Sequence, residues 1–187
     1  ERLAGCRDEI NRLTNLIAGL ERLEEAGARG ADTGRGAEDT DVAALVRSVC
    51  AAWEGKAALK NIALEIEETG AGPVTAKIDG DAIAGAVSNL ISNAVKYAPD
   101  GGRVRVSVRH GDRRTVVIAI EDNGPGIPED ELPYVFERLY RADKSRNRAT
   151  GGAGIGLAIA REAVVSNGGS IKAENAPGGG AVFRIVL

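Results

Sequence analysis

Asn89, Asn93 and Lys96 stand at i, i+4 and i+7 in the run SNLISNAVKYAP. On a helix turning about 100° per residue these three share one edge, while Ile83, Val87, Leu90, Ala94 and Tyr97 form the stripe to be buried. Amide oxygens are hard donors suited to Mg²⁺, and a lysine ammonium is a point charge for phosphate. Neutral amides hold a metal weakly by themselves, so the metal should arrive with a nucleotide. The competing reading of this helix alone is a solvated polar edge.

Two further blocks carry chemistry. In Glu121-Asp122-Asn123-Gly124-Pro125-Gly126-Ile127-Pro128 a strand ends in a tight loop of glycines and prolines. A carboxylate there can accept from an exocyclic amine such as adenine N6; the alternative is an ordinary turn. An EF-hand loop would need further acids and a terminal Glu. Gly151-Gly152-Ala153-Gly154-Ile155-Gly156-Leu157 places glycines at alternate positions before a helix, which suits anion binding by free N–H groups. It lacks the preceding strand and the G-x-G-x-x-G spacing of a Rossmann turn, and the G-K-[ST] of a P-loop. Between these blocks, the eleven residues 138–148 hold five positive charges, Arg138, Arg141, Lys144, Arg146 and Arg148, against the single acid Asp143. The stretch Pro133 to Thr150 reads as a basic lid over a polyanion, or as a solvated loop. Arg103, Arg105, Arg109, Arg113 and Arg114 form a second basic group, read as the wet face of a hairpin.

These blocks need a scaffold. Alternating strands are expected around Ile62 to Ile66, Val74 to Ile78, Val104 to Val108, Ile171, and Ala181 to Leu187. Thr115 to Glu121, apolar on both faces, should be central. Helices are expected after Thr40 or Asp41, from Gly80 to Tyr97, and from Gly154 to about Ser166. The fold class is therefore α+β: a two-layer α/β sandwich with helices over one side of a largely antiparallel sheet. A long N-terminal helix precedes it. There Leu3, Cys6, Ile10, Leu13, Ile17 and Leu20 follow a heptad seam to be buried against a helix of the missing chain or of a second copy, the alternative being a helix packed on its own domain. The expected units are a helix over residues 1–27, a polar glycine-rich linker over 28–39, and a domain over 40–187.

Composition narrows the classes further. The 187 residues are 43% hydrophobic and 27% charged, ordinary for a globular chain. A net charge of −3 argues against a nucleic-acid partner. Cys6 and Cys50 have neither zinc spacing nor a disulfide framework and read as bystander thiols. No stretch is long and apolar enough for a membrane span. The chain has no methionine and opens inside a helical pattern, as a piece of a longer protein would.

Taken in order, the blocks resemble one family. N-L-I-S-N-A-V-K-Y is similar to the N box of histidine-kinase-type ATP-binding domains, D-N-G-P-G-I-P to the G1 box, F-E-R-L-Y-R to the F box and G-G-A-G-I-G-L to the G2 box. The likeness covers about Thr40 to Leu187 and implies the Bergerat ATP-binding fold. Ile10 to Gly27 resembles the second helix of the family's dimerisation hairpin. The resemblance implies ATP and Mg²⁺ as ligands, with Asn93 on the metal and Asn89 beside it near the phosphates. Lys96 would meet phosphate and Tyr97 flank the base. Asp122 would bind adenine N6 in a pocket shaped by Gly124 and Gly126. Phe136 would pack the lid and Arg138 approach the γ-phosphate. Gly152, Gly154 and Gly156 would present N–H groups to the phosphates. Implied partners are a second copy of the chain through the N-terminal helix and a response-regulator protein. The implied location is cytoplasmic, with any membrane anchor in segments upstream.

The departures are specific. The family's acceptor-histidine box is absent, and the only histidine, His110, lies in a hairpin turn. Val182 stands where family members often have a hydroxyl residue near the adenine pocket. Gyrase, chaperone and mismatch-repair relatives carry a Glu four residues before the metal-binding Asn; here that residue is Asn89, whose amide takes no proton at neutral pH. The site should hold ATP without fast hydrolysis, as a phosphoryl donor must. The expected function is transfer of the ATP γ-phosphoryl to a histidine outside this chain. The alternatives are a nucleotide-binding and dimerisation module without transfer activity, or a serine-directed regulatory kinase of the same fold.

Overall fold

Residues 36–69, 72–112, 115–140 and 154–187 are described by a computed structural model. The heptad helix, most of the linker, the basic stretch from Arg141 to Thr150 and Gly152 lie outside them. Strand β1 (Glu38–Asp41) begins within the stretch read as linker and runs directly into helix α1 (Val42–Ala58). The Asp41 side chain accepts from the Ala44 N–H at 3.0 Å, an N-cap for one of the helix's orphan donors. Strands β2 (Ala63–Thr69) and β3 (Thr75–Ile78) follow, then α2 (Gly80–Tyr97), capped in the same way by Asp79 on the Ala82 N–H at 3.0 Å. β4 (Arg103–His110) and β5 (Val116–Asp122) form a hairpin. A single 3₁₀ turn, Leu132–Tyr134, precedes α3 (Gly156–Ser166), and the hairpin β6 (Ser170–Asn175)–β7 (Ala181–Val186) ends the chain.

The large sheet has the order β2-β4-β5-β7-β6, with β5 in the middle as its two apolar faces require. Three pairings are antiparallel, but β2 and β4 run parallel. The sheet is therefore mixed. The cause is the chain path: β3 and α2 intervene between β2 and β4, and a crossover of that length returns the strand in the same direction. β3 stays out of this sheet and pairs antiparallel with β1 in a separate ribbon.

One core joins the layers. Ile83, Val87, Leu90 and Ala94 of α2 pack with Val104, Val106 and Val108 of β4, Ile118 and Ile120 of β5, and Phe183 and Ile185 of β7. A fully buried leucine such as Leu90 contributes about 2 kcal/mol by leaving water. Tyr97 corrects the expected stripe, being 54% exposed. It ends the helix, and Ala98, turned extended (ψ 140°) ahead of Pro99, takes the buried place instead. The opposite sheet face is charged: Arg105 lies 3.3 Å from Glu67, 3.9 Å from Glu65 and 4.0 Å from Glu121. Cys50 is buried in the core, and burial with the nearby Glu54 carboxylate pushes its thiol up to about 11, as befits a bystander. Among the described residues no helix is long and apolar enough to cross a membrane.

Candidate functional site

Helix α2 is fixed at both ends. At its C-terminus the last carbonyls have no helical partner, and the Lys60 ammonium takes three of the terminal ones. It donates to the carbonyls of Val95 at 2.9 Å, Lys96 at 3.2 Å and Ala98 at 2.9 Å. A cation there also meets the negative end of the helix dipole. At the N-terminus the Asn167 amide accepts from the Asp79 N–H at 2.7 Å and donates to the Ala163 carbonyl at 2.8 Å, joining the start of α2 to the end of α3. Neither Lys60 nor Asn167 sits in a local pattern, and the sequence reading missed both. The helix so held presents Asn89, Asn93 and Lys96 half-buried along one edge. The Lys96 ammonium leans toward Tyr97, 4.8 Å from its ring centre and 3.4 Å from its hydroxyl.

The loop after β5 rests on the end of that helix. A Cβ placed on Gly124 would come within 2.7 Å of the Tyr97 carbonyl oxygen and 2.8 Å of Asp122 Oδ1. Only glycine allows this approach, so the loop and the helix end are locked together. Asp122 is the one buried charged residue among those described, 4% exposed. Its Oδ1 accepts from the N–H of Gly124 at 2.9 Å and of Ala181 at 3.4 Å. Oδ2 has no hydrogen bond among the described residues. Burial raises the carboxyl above its usual range, the two N–H donors pull it back, and Glu121 adds to the rise. The β6–β7 turn seals the other side: a Cβ on Gly180 would lie 1.8 Å from the Asp122 carbonyl oxygen. Asn123 accepts from the Arg103 N–H at 2.8 Å and so ties the loop to β4.

The glycine-rich block meets the amide edge from the other side. A Cβ on Gly156 would stand 3.6 Å from Asn89 Oδ1, so the first residue of α3 lies against that amide. Gly154, with φ +69°, turns the chain into α3, whose N-cap is Ile155. Unlike α1 and α2, this helix has no side-chain cap, and its first turn carries no acid. Its leading N–H groups are suited to an anion. The Leu139 N–H donates to the Gly154 carbonyl at 3.0 Å, which brings the segment Phe136 to Tyr140 beside the helix start. Phe136 meets Phe183 edge-on, with ring centres 6.2 Å apart.

The structure therefore sets Asn89 against Gly156, two residues after Gly154, and brings Tyr97, Asp122 and Gly124 together. Gly126 lies in the same loop, and Gly152 is outside the described residues. Arg138 is not turned to this group: its guanidinium pairs with Glu162 on α3 at 3.1 Å. Val182 is also placed otherwise than expected. It pairs in register with Glu121 and Glu174, on the face away from Asp122, while its neighbour Ala181 shares the helix-covered face. Any contact from β7 to a base beside Asp122 belongs to Ala181, because the pleat sends successive side chains to opposite faces. His110 is exposed at the far end of β4, seven residues or roughly 20 Å from the base loop.

The donor set fits a metal that brings its own anions. Among the described residues no group of three or more His, Cys, Asp or Glu could hold an ion. The carboxamides of Asn89 and Asn93, one helical turn apart, offer neutral oxygens beside an uncapped helix start. Such a site suits Mg²⁺ carried by a polyphosphate better than a free ion.

Residues 78–187 match the family described as histidine kinase-, DNA gyrase B- and HSP90-like ATPase. The chain is 43% identical over 180 residues to the signal transduction histidine-protein kinase AfsQ2 of Streptomyces coelicolor, covering 96% of this chain and 31% of that protein. It is 34% identical over 179 residues to the sensor-like histidine kinase SenX3 of Mycobacterium tuberculosis, covering 96% and 42%. It thus spans well under half the length of these curated relatives. The solved structure of the mycobacterial sensor histidine kinase MprB superposes with a TM-score of 0.70 at 30% identity, over 81% of this chain and 96% of that one.

Proposed function

The chain belongs to the histidine kinase-, DNA gyrase B- and HSP90-like ATPase family and carries the catalytic domain of a two-component sensor histidine kinase; from that premise we propose how its own residues hold Mg²⁺-ATP and donate the γ-phosphoryl to a histidine outside this chain. The observation that carries the reading is Asp122. A buried carboxylate with one oxygen pinned by two backbone N–H groups and the other left over is built to accept from a donor on a base. Adenine N6 is such a donor; guanine presents an acceptor at the same position. Gly124 and Gly126 wall this pocket, and Tyr97 flanks the base.

Asn93, with Asn89 beside it, would hold Mg²⁺, which when bound neutralises phosphate charge and favours departure of ADP. Lys96 meets phosphate by swinging away from the Tyr97 ring. The start of α3, from Gly154 to Gly156, gives its N–H groups to the phosphates, with Gly152 just before it. Arg138 reaches the γ-phosphate by exchanging Glu162 for it. Asn89 at the position of the hydrolytic relatives' Glu leaves no base to activate water, so the phosphoryl is kept for a nitrogen nucleophile. The same reading places the domain in the cytoplasm, as one of two copies joined through the N-terminal helix, with a response-regulator aspartate as the final acceptor.

Calorimetric titration of the Asn93→Ala variant tests the metal role. ATP affinity should lose its dependence on Mg²⁺; a variant that still binds more tightly with Mg²⁺ than with chelator would remove Asn93 from the metal.

A further inference from the structure

Asn175, the last residue of β6, grips the loop after β5 with both ends of its amide. Its Oδ1 accepts from the Ile127 N–H at 2.8 Å, and its Nδ2 donates to the Ile127 carbonyl at 2.7 Å. One side chain thus satisfies both backbone groups of one residue, as a neighbouring strand would. The loop has few other holds. Pro125 and Pro128 lack an N–H, and among the described residues Pro125 to Ile127 makes no other hydrogen bond. Gly126, with φ +77°, lies so close that a Cβ on it would stand 2.9 Å from Asn175 Oδ1.

The loop is therefore set from two directions. The Tyr97 carbonyl meets it at Gly124, and Asn175 meets it three residues later. We propose that Asn175 is a positioning residue for base recognition: it fixes the segment Gly124 to Ile127 against Asp122, and so governs discrimination between adenine and guanine nucleotides without touching the base. The proposal rests on the reading of Asp122 as the base acceptor. Its chemistry demands an amide. A carboxylate at the same place keeps the acceptor but turns a second oxygen on the Ile127 carbonyl; alanine loses both bonds. Asn175 is exposed and outside the core, so its replacement leaves the packing of the sheet intact.

The test is the ratio of GTP to ATP dissociation constants, measured by calorimetry with Mg²⁺ for the 187-residue chain and its Asn175→Ala and Asn175→Asp variants. Unfolded molecules bind neither nucleotide, so the ratio is unmoved by a loss of folded fraction. The ratio should fall about tenfold in both variants, the worth of one well-placed hydrogen bond in a preset site. Affinity for inorganic tripolyphosphate with Mg²⁺ should stay within about twofold, since the phosphate groups are held elsewhere. An unchanged ratio in variants of a chain that itself prefers ATP overturns the role of Asn175 alone, even if both affinities drop together. A parent chain without preference for ATP overturns the Asp122 reading, and the role of Asn175 with it.

Discussion

The two ends of the site are built on opposite plans. At the base end the chain satisfies its own polar groups except one: Asp122 Oδ1 takes two N–H donors while Oδ2 is left over, Asn123 takes a third donor, and Gly124 lies on the Tyr97 carbonyl. At the phosphate end α3 starts without a side-chain cap, the two carboxamides of α2 are neutral, Lys96 leans on Tyr97, and Arg138 is engaged by Glu162. A base differs from its rivals by one donor or acceptor, so its reader must be rigid and dry before the ligand comes. A triphosphate is recognised by charge, and charge can be met by groups that change partners on binding. The ligand completes one half of the site and merely fits the other.

That contrast can be broken or sharpened by substitution. The largest effect is expected at Asp122→Asn. The N–H groups of Gly124 and Ala181 keep the amide oxygen inward, so the amide nitrogen replaces the accepting Oδ2. The base reader then suits guanine O6, and the ATP-over-GTP ratio should shift by up to ~10⁴; competition binding reads it, and a ratio that stays put would break the claim of a preset base end. The same variant reports on strain. Because burial holds the Asp122 carboxyl above its ordinary 3.8, the unfolded chain gives up this proton first as pH rises. The stability of the neutral form is complete below 3.8 and lost as pH rises through the folded value. Asp122→Asn should therefore melt higher than the parent at pH 7, and the gap should close on acidification below 3.8. Lys60→Met keeps the stem and removes the cap on α2. It should cost about 1–2 kcal/mol in denaturant unfolding and weaken ATP through the displaced end of α2; an unchanged unfolding midpoint would show the cap to be idle. Arg138→Ala should be smallest in stability, within about 1 kcal/mol, because its pair with Glu162 is exposed. Phosphotransfer to an added acceptor helix should still slow about tenfold, the value of one charge-assisted hydrogen bond. Equal loss of rate and stability would place Arg138 with the rigid half instead.

Much of this was legible in the residues. The extent of α2 follows from the three- and four-residue rhythm of Ile83, Val87, Leu90 and Ala94. The central place of β5 follows from its two apolar faces. What was hidden depends on distant partners. β1 is Glu-Asp-Thr-Asp, with no apolar alternation, because its pairing with β3 is made by the backbone. The parallel match of β2 to β4 is a matter of chain path. Lys60 acts on carbonyls about 35 positions away and Asn175 on a peptide 48 away, so neither leaves a local signature. Tyr97 followed the right period but ends the helix one residue short of the covered position, which Ala98 takes, and Val182 was one residue off because a strand changes face at every step.

The run Gly178-Gly179-Gly180 shows how unevenly one short turn can tolerate drift. Gly178 has open space around its α-carbon, Gly179 is restricted only by a left-handed φ of +92°, and Gly180 is barred both by φ +95° and by the Asp122 carbonyl. Three identical letters therefore carry three different degrees of evolutionary freedom. An engineer wishing to graft a reporter loop onto this domain has a permissive site at the first and a forbidden one two steps later.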